Sequence, residues 1–274
     1  MKQTATLHMP GGCIRVEWED DALTALLHRF FAPWHAKNSG AAAGSSCTVT
    51  FASGKNGYHI TSPLSPPVSC TTIPELAMRF EEILTGLALT ILEPALLIHA
   101  AAVDLNGCGA LIAGDHGMGK TTLTLTALSS GFKALSDEVG VIPDANRSLS
   151  GFPRPFHVSA DVMRLRPPVM PDACEPFGIT DDFFLVFCER YYALSSTLSC
   201  IVFPDRRPGK TTIERVGELE AIRRLLPLGF NFYRAPDGRA SDLAHLLKAV
   251  KAFTLRYEDH WEAVSVIRDL IETT

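Results

Sequence analysis

The chain has no apolar run approaching the ~18 residues that a membrane-crossing helix needs, and Met1-Lys2-Gln3-Thr4-Ala5-Thr6 offers no apolar core for a secretion signal. Basic residues are outnumbered, with 25 Lys and Arg against 30 Asp and Glu, giving a net charge of −5 and a pI near 6.0. That argues against nucleic acid as the main partner, since phosphate-backbone binding needs a basic surplus on one face. The seven cysteines are an odd number and no two stand as C-x-x-C. A zinc ribbon and a disulfide framework are therefore not expected. The expectation is instead free thiols packed as small apolar residues in a reducing cytoplasm. No internal repeat is visible. What remains is ordinary for a soluble globular protein: 274 residues, 46 % hydrophobic and 20 % charged, enough for one large core with or without an appendage.

The first ninety residues differ in texture from the rest. Short alternating segments at Cys13–Trp18, Cys47–Ala52 and Tyr58–Thr61 predict strands, and Leu23–Phe31 predicts an amphipathic helix. Residues 37–46, rich in Gly, Ala and Ser, predict a flexible loop, and Ser62–Ser69 with its prolines a linker or exposed turn. A helix is predicted from Pro74, with Leu76, Phe80, Ile83, Leu84, Leu87 and Ile91 on its apolar face. Residues 1–92 thus read as a small α+β unit and 93–274 as an α/β core. In the core, strands are expected at Leu96–Ala100, Gly109–Ala113 and Phe132–Leu135, with a turn at Asn106-Gly107. A hairpin-like pair follows at Leu198–Phe203 and Thr211–Val216, then a helix at Ala240–Val250, a strand at Ala252–Tyr257 and a terminal helix at Glu262–Ile271.

Between the second and third core strands runs Gly114-Asp115-His116-Gly117-Met118-Gly119-Lys120-Thr121, which fits G-x-x-x-x-G-K-[ST] at every fixed position. Backbone N–H groups wrap a phosphate only where residues are small or take positive φ, and Gly114, Gly117 and Gly119 are placed to supply that freedom. Lys120 would reach the outer phosphates, the Thr121 hydroxyl would face Mg²⁺, and Thr122 would continue into a helix whose positive end meets the anion. ATP and Mg²⁺ are the cofactors this implies. Asp137-Glu138 follows the next strand, and carboxylates there can hold Mg²⁺ or take a proton from a hydroxyl.

Ile98-His99-Ala100-Ala101-Ala102-Val103, the glycine loop and Leu135-Ser136-Asp137-Glu138 together resemble the HPr kinase/phosphorylase family and its smaller HPr-kinase-related members. The resemblance is best from Leu96 to Ile142. It continues more weakly through Gly151-Phe152-Pro153-Arg154-Pro155 and Ile201-Val202-Phe203-Pro204. It implies a fold like that of HPr kinase and phosphoenolpyruvate carboxykinase, ATP-dependent phosphorylation of a serine hydroxyl, and Asp137 or Glu138 as general base. His99 matches a histidine near that family's active site. The chain departs from the family in having Glu138 where a second aspartate is usual, Thr122 where an acidic residue is usual, and His116 in place of a small hydroxyl residue. The stretch that recognises HPr is not recognisable, so neither HPr as substrate nor phosphorolysis is implied.

Dispersed negative charge in phosphoryl transfer calls for a cation beyond Lys120. Arg154 is the first candidate and the turn carrying Arg206, Arg207 and Lys210 the second. His157 reads as structural or peripheral, and Arg164 and Arg166 carry no assignment. The expected function is phosphoryl transfer to a serine of a peptide or protein. A small hydroxyl-bearing metabolite is the alternative acceptor, and a nucleotide-binding adaptor without transfer is the alternative of another class. Relatives of this kind often assemble, which leaves a homo-oligomer open.

Overall fold

The computed structural model describes residues 2–273 apart from 10, 36–44, 56, 93–94, 144–146, 153 and 166–168, and the fold is α/β. The chain opens with β1 (Gln3–Met9) and β2 (Gly12–Trp18), which pair antiparallel. In β2 the alternation is complete, with Ile14, Val16 and Trp18 inward and Arg15 exposed between them. Helix α1 (Asp21–His35) leads to β3 (Ser45–Gly54), which lies parallel to β2. Strands β4 (Gly57–Ser62) and β5 (Ser65–Cys70) complete a five-stranded sheet in the order β1-β2-β3-β4-β5.

Two expectations change here. Of the expected loop, residues 37–44 lie outside the described residues, while Ser45 and Ser46 already belong to β3. Ser62–Ser69 is not a linker but the end of β4 and most of β5. Its Pro66 and Pro67 are compatible with a strand because β5 is at the sheet edge and its register with β4 shifts at the two prolines, between the pairs Ile60–Val68 and Ser62–Ser65.

Helix α2 (Ile73–Ile91) starts where Thr72 Oγ1 accepts from Glu75 N at 3.3 Å, with Pro74 in the first turn. Its buried face carries Leu76, Ala77, Phe80, Leu84, Leu87, Ala88 and Ile91, and also Glu81. Phe80 meets Phe30, Phe31 and Phe51 with ring centroids 5.1, 6.1 and 5.0 Å away, all edge-on. The same apolar cluster takes in Leu97, Val139, Val141, Phe152, Leu185 and Phe187, so one core crosses residue 92 without a break.

Strands β6 (Leu96–Leu105) and β7 (Cys108–Ala113) form a hairpin whose turn, Asn106-Gly107, has φ of 55° and 87°. Two positive φ values make the primed turn that suits strand twist, which is why Asn-Gly stands there. Beyond β7 come α3 (Lys120–Ser129), β8 (Lys133–Ser136), β9 (Val139–Ile142) and β10 (Ser148–Ser150). A three-stranded sheet follows, built from β11 (Phe156–Ser159), β12 (Glu175–Thr180) and β13 (Phe183–Phe187), with the single turn α4 (Ala160–Met163) after β11. The chain closes with β14 (Ser195–Arg206), β15 (Thr212–Val216), α5 (Glu218–Leu225), α6 (Pro236–Ala249), β16 (Lys251–Tyr257) and α7 (His260–Glu272).

The large sheet has the order β10-β9-β6-β7-β14-β16-β15, with β8 also on β6. It is mixed: β7, β14 and β16 are parallel neighbours, while β6, β9 and β15 run against theirs. Both faces are covered, and strand alternation sorts the residues. Ala110, Ile112, Cys200 and Val202 face α3 and α7, whereas Leu111, Ala113, Ile201 and Phe203 face α5 and α6.

The expected hairpin of β14 with β15 does not form, because β16 lies between them, parallel to β14 and antiparallel to β15. The continuously buried run Leu198–Phe203, apolar except for Ser199, marks a central strand buried on both faces, and the largely exposed β15 an edge. The cysteine expectation also changes. Pairing of β12 with β13 sets Glu175 opposite Phe187, which brings the preceding Cys174 opposite the following Cys188, and the two form a disulfide with Cα atoms 4.3 Å apart. A hairpin register rather than a local spacing makes this pair, and the cytoplasmic expectation loses the support it drew from seven free thiols.

Phe80→Ala is expected to lower stability by about 3–5 kcal/mol. Because one core spans both parts, Trp fluorescence and far-ultraviolet circular dichroism should follow a single urea transition in the wild type. Two separated transitions would show independent cores.

Candidate functional site

The glycine loop leaves the carboxyl end of β7 and turns into α3. Gly117 and Gly119 have φ of 82° and 84°; Gly114 does not, so the freedom expected of it is not used. At Gly119 a Cβ would stand 2.8 Å from Tyr257 Oη, so both backbone angle and space demand glycine. Gly119 is also the N-cap of α3 and gives it no side-chain cap, which leaves the first N–H groups and the helix dipole turned on the space above the loop. Lys120 is buried and folds back, its Nζ donating to Gly114 O at 2.7 Å and Asp115 O at 3.0 Å; burial lowers its pKa. Tyr257 Oη is buried without a hydrogen-bond partner, and burial pushes the phenol up to about 12.

Asp137 and Glu138 occupy the turn between β8 and β9, both of which pair with β6. Ser136 Oγ fixes the turn by accepting from Val139 N at 2.9 Å and Glu138 N at 3.3 Å, and Ala100 N donates to Glu138 O at 2.9 Å. Arg154 lies behind the pair with only 7 % of its surface exposed. Its Nη1 donates to Glu138 Oε2, its Nη2 lies 2.9 Å from Glu81 Oε1, and its Nε is 4.0 Å from Asp137 Oδ1. His157 Nε2 is 3.2 Å from Glu81 Oε2 and 2.8 Å from Arg154 Nη2, and Tyr192 Oη donates to Arg154 O.

One guanidinium therefore faces three carboxylates, and it is closest to Glu81 and Glu138. Asp137 is left under-compensated. Burial, opposed by Arg154 and His157 and reinforced by Glu138 and Glu81, raises its pKa from 3.8 to about 6. Its Oδ1 has no hydrogen-bond partner. Glu81 goes the other way: burial would raise it, but Arg154 and His157 outweigh burial and hold it below its ordinary value.

The two sides of the glycine loop open on different cavities. One, of about 470 Å³, is lined by His99, His116, Gly117, Gly119, Lys120, Thr121 and Thr122 together with Asp137, Glu138, His157 and Arg206. The other borders Gly114, Asp115 and Met118. His99 Nε2 is 3.8 Å from Glu138 Oε1, and burial lowers its pKa. Arg154 does not line the first cavity; it holds the carboxylates from behind. Of the basic turn only Arg206 reaches that cavity, while Arg207 pairs with Asp205 at 2.5 Å. Arg164 pairs with Asp161 at the surface, and Arg166 lies outside the described residues.

Sequence reasoning missed Glu81 and undervalued His157. Glu81 had a readable signal, since it stands between Ala77 and Leu84 on the apolar stripe of α2, where a carboxylate needs a buried partner. His157 had none, because the carboxylate it meets, Glu81, lies in a distant part of the chain, although Arg154 is only three residues away.

These features make an α/β protein with a glycine loop at an open helix N-terminus and a buried acidic cluster beside it. No family model matches the chain. Over 90 residues it is 31 % identical to the HPr kinase/phosphorylase of Treponema pallidum subsp. pallidum, and equally to that of the Nichols strain of Treponema pallidum. The matched stretch is 32 % of this chain and 27 % of each relative, so the chain covers about a quarter of the relatives' length. The likeness supports a distant relationship to HPr kinase/phosphorylase at most.

The charge balance can be tested at two of its carboxylates. Glu81→Ala removes the carboxylate shared by Arg154 and His157 but leaves Glu138 and Asp137 on the guanidinium. Urea unfolding should therefore show a loss smaller than the ~3–5 kcal/mol of a buried charge left unpaired, together with a lowered Asp137 pKa. For Asp137, the folded pKa of about 6 exceeds the unfolded 3.8, so its ionisation opposes folding: the group's stabilising contribution is full below pH ~4 and lost as pH rises through 6. Asp137→Asn should therefore unfold at higher urea than wild type above pH 6, by up to about 3 kcal/mol, with the gap closing near pH 4. A gap independent of pH would refute the raised pKa.

Proposed function

We propose that this chain is an ATP-dependent phosphotransferase that passes the γ-phosphate to a hydroxyl, foremost a serine of a peptide or protein. The observation that carries the proposal is the buried Asp137, which lines the same cavity as Lys120 and the glycine loop and whose charge Arg154 leaves under-compensated. The residues present fit the groups the reaction needs. Positive-φ glycines and an uncapped helix N-terminus suit a polyphosphate. The Thr121 hydroxyl with Glu138 would hold Mg²⁺, an ion that keeps waters and phosphate oxygens among its ligands rather than filling an all-protein cage, which leaves Asp137 to take the proton. When bound, Mg²⁺ neutralises charge on the phosphate oxygens.

Lys120 would exchange the carbonyls of Gly114 and Asp115 for phosphate oxygens, keeping its charge satisfied throughout. Asp137 is assigned as the base. Its pKa of about 6 leaves it ionised near neutrality yet basic enough to take a proton, whereas Glu138 is already bonded to Arg154. As the Asp137 carboxylate accepts the hydroxyl proton, the acceptor oxygen bonds to the γ-phosphorus and the bond from that phosphorus to the ADP oxygen breaks in line. Arg154 positions the carboxylates, and Arg206, which lines the cavity, supplies positive charge near the transferring group. His99 would orient Glu138. The likeness to kinases of HPr favours a protein acceptor. The cavity of about 470 Å³ also suits a small hydroxyl-bearing metabolite, which is the second reading.

The test is transfer from γ-labelled ATP with Mg²⁺ in a native lysate, comparing wild type with Asp137→Asn and counting label in peptide and small-molecule fractions. Label that depends on the wild type and vanishes in the variant is expected, and the labelled fraction identifies the acceptor class. ATP binding without label in either fraction would instead mark a nucleotide-bound adaptor. With a purified acceptor, kcat/KM should fall about tenfold per pH unit below 6, because protonated Asp137 accepts no proton.

A further inference from the structure

The second cavity, about 670 Å³, lies over the carboxyl ends of β7, β14 and β16, the three parallel neighbours of the large sheet. Open α/β sheets bind ligands outside the carboxyl ends of parallel strands, and the volume falls in the range of small-molecule sites. Gly114, Asp115 and Met118 form one wall, so the cavity touches the glycine loop on the side away from Asp137 and Glu138.

Its chemistry is that of a platform for a flat, polar ring. The Arg224 guanidinium lies over the Phe203 ring at 5.3 Å. It is held by Nε donating to Glu220 Oε1 at 2.8 Å and Nη1 donating to Thr254 Oγ1 at 2.9 Å. A planar cation held in this way stacks readily on heteroaromatic rings. Apolar surface comes from Pro204, Val216 and Leu228. At the rim Arg215 is exposed and makes no ion pair among the described residues.

In-line transfer decides what belongs there. Attack and departure take place on opposite sides of the phosphorus, and the attacking side is the one that holds the base. We propose that this cavity receives the purine nucleoside of the nucleotide, with the base stacked on Arg224 and the phosphates running across the glycine loop toward Asp137. The inference rests on the phosphotransferase reading above.

Calorimetric titration of the full chain with ATP and with inorganic tripolyphosphate, both with Mg²⁺, separates the two. Wild type should bind ATP more tightly than tripolyphosphate. Arg224→Ala should weaken ATP by about tenfold or more while leaving tripolyphosphate unchanged. If Arg224→Ala loses both ligands through misfolding, Arg215→Glu at the exposed rim decides by the same comparison. Equal wild-type affinity for the two ligands, or no selective loss of ATP in either variant, overturns the nucleoside site while leaving the phosphate loop standing. Failure of wild type to bind either ligand overturns the phosphotransferase reading itself.

Discussion

The contact on which most of the rest depends is the buried meeting of Arg154 with Glu81, Asp137 and Glu138. It joins a helix of the first hundred residues to the turn between β8 and β9, inside apolar surroundings where an unpaired charge would be costly. One positive charge cannot satisfy three carboxylates. The geometry decides which carboxylate is left short, because Arg154 is bonded to Glu138 and 2.9 Å from Glu81 but 4.0 Å from Asp137. A structural device thus leaves Asp137 raised and available, and the group that orders the site also tunes it.

The same contact gives the amino-terminal part a role in the site. Helix α2 covers the core with its apolar face and, from that face, sends Glu81 to Arg154 and His157. Its Phe80, next to Glu81, anchors an aromatic cluster shared with α1 and β3. Packing and electrostatics are therefore coupled through neighbouring residues, and a shift of α2 would disturb both.

The glycine loop divides the working face in two. Acidic and imidazole groups gather on the β6 side, and a guanidinium stacked on an aromatic ring stands over β14 and β16 on the other. The division follows from strand order, since β7 carries the loop and has β6 on one side and β14 on the other. Tyr257, at the end of β16, reaches back to Gly119 and closes the space beneath the loop, which ties the far strand to the loop's backbone angle.

Much of this was legible beforehand, for a physical reason. Gly114–Thr121 is one contiguous segment and the Asp137-Glu138 turn another a helix and a strand later, so each depends on local backbone geometry that residue type dictates. The helices at Pro74 and Glu262, the strand at Ala252 and the Asn106-Gly107 turn were readable on the same ground. By contrast, the insertion of β16 between β14 and β15, the Pro-containing edge strand β5 and the Cys174–Cys188 bond depend on which strand finds which neighbour. The convergence of Glu81, Arg154 and His157 depends on it too. By itself the sequence determined where a phosphate could be cradled and which acids follow it, because the members of each group are neighbours along the chain. Only the tertiary structure decided which acid is left uncompensated and which cavity lies on each side of the loop, because both are set by contacts between segments far apart in the sequence.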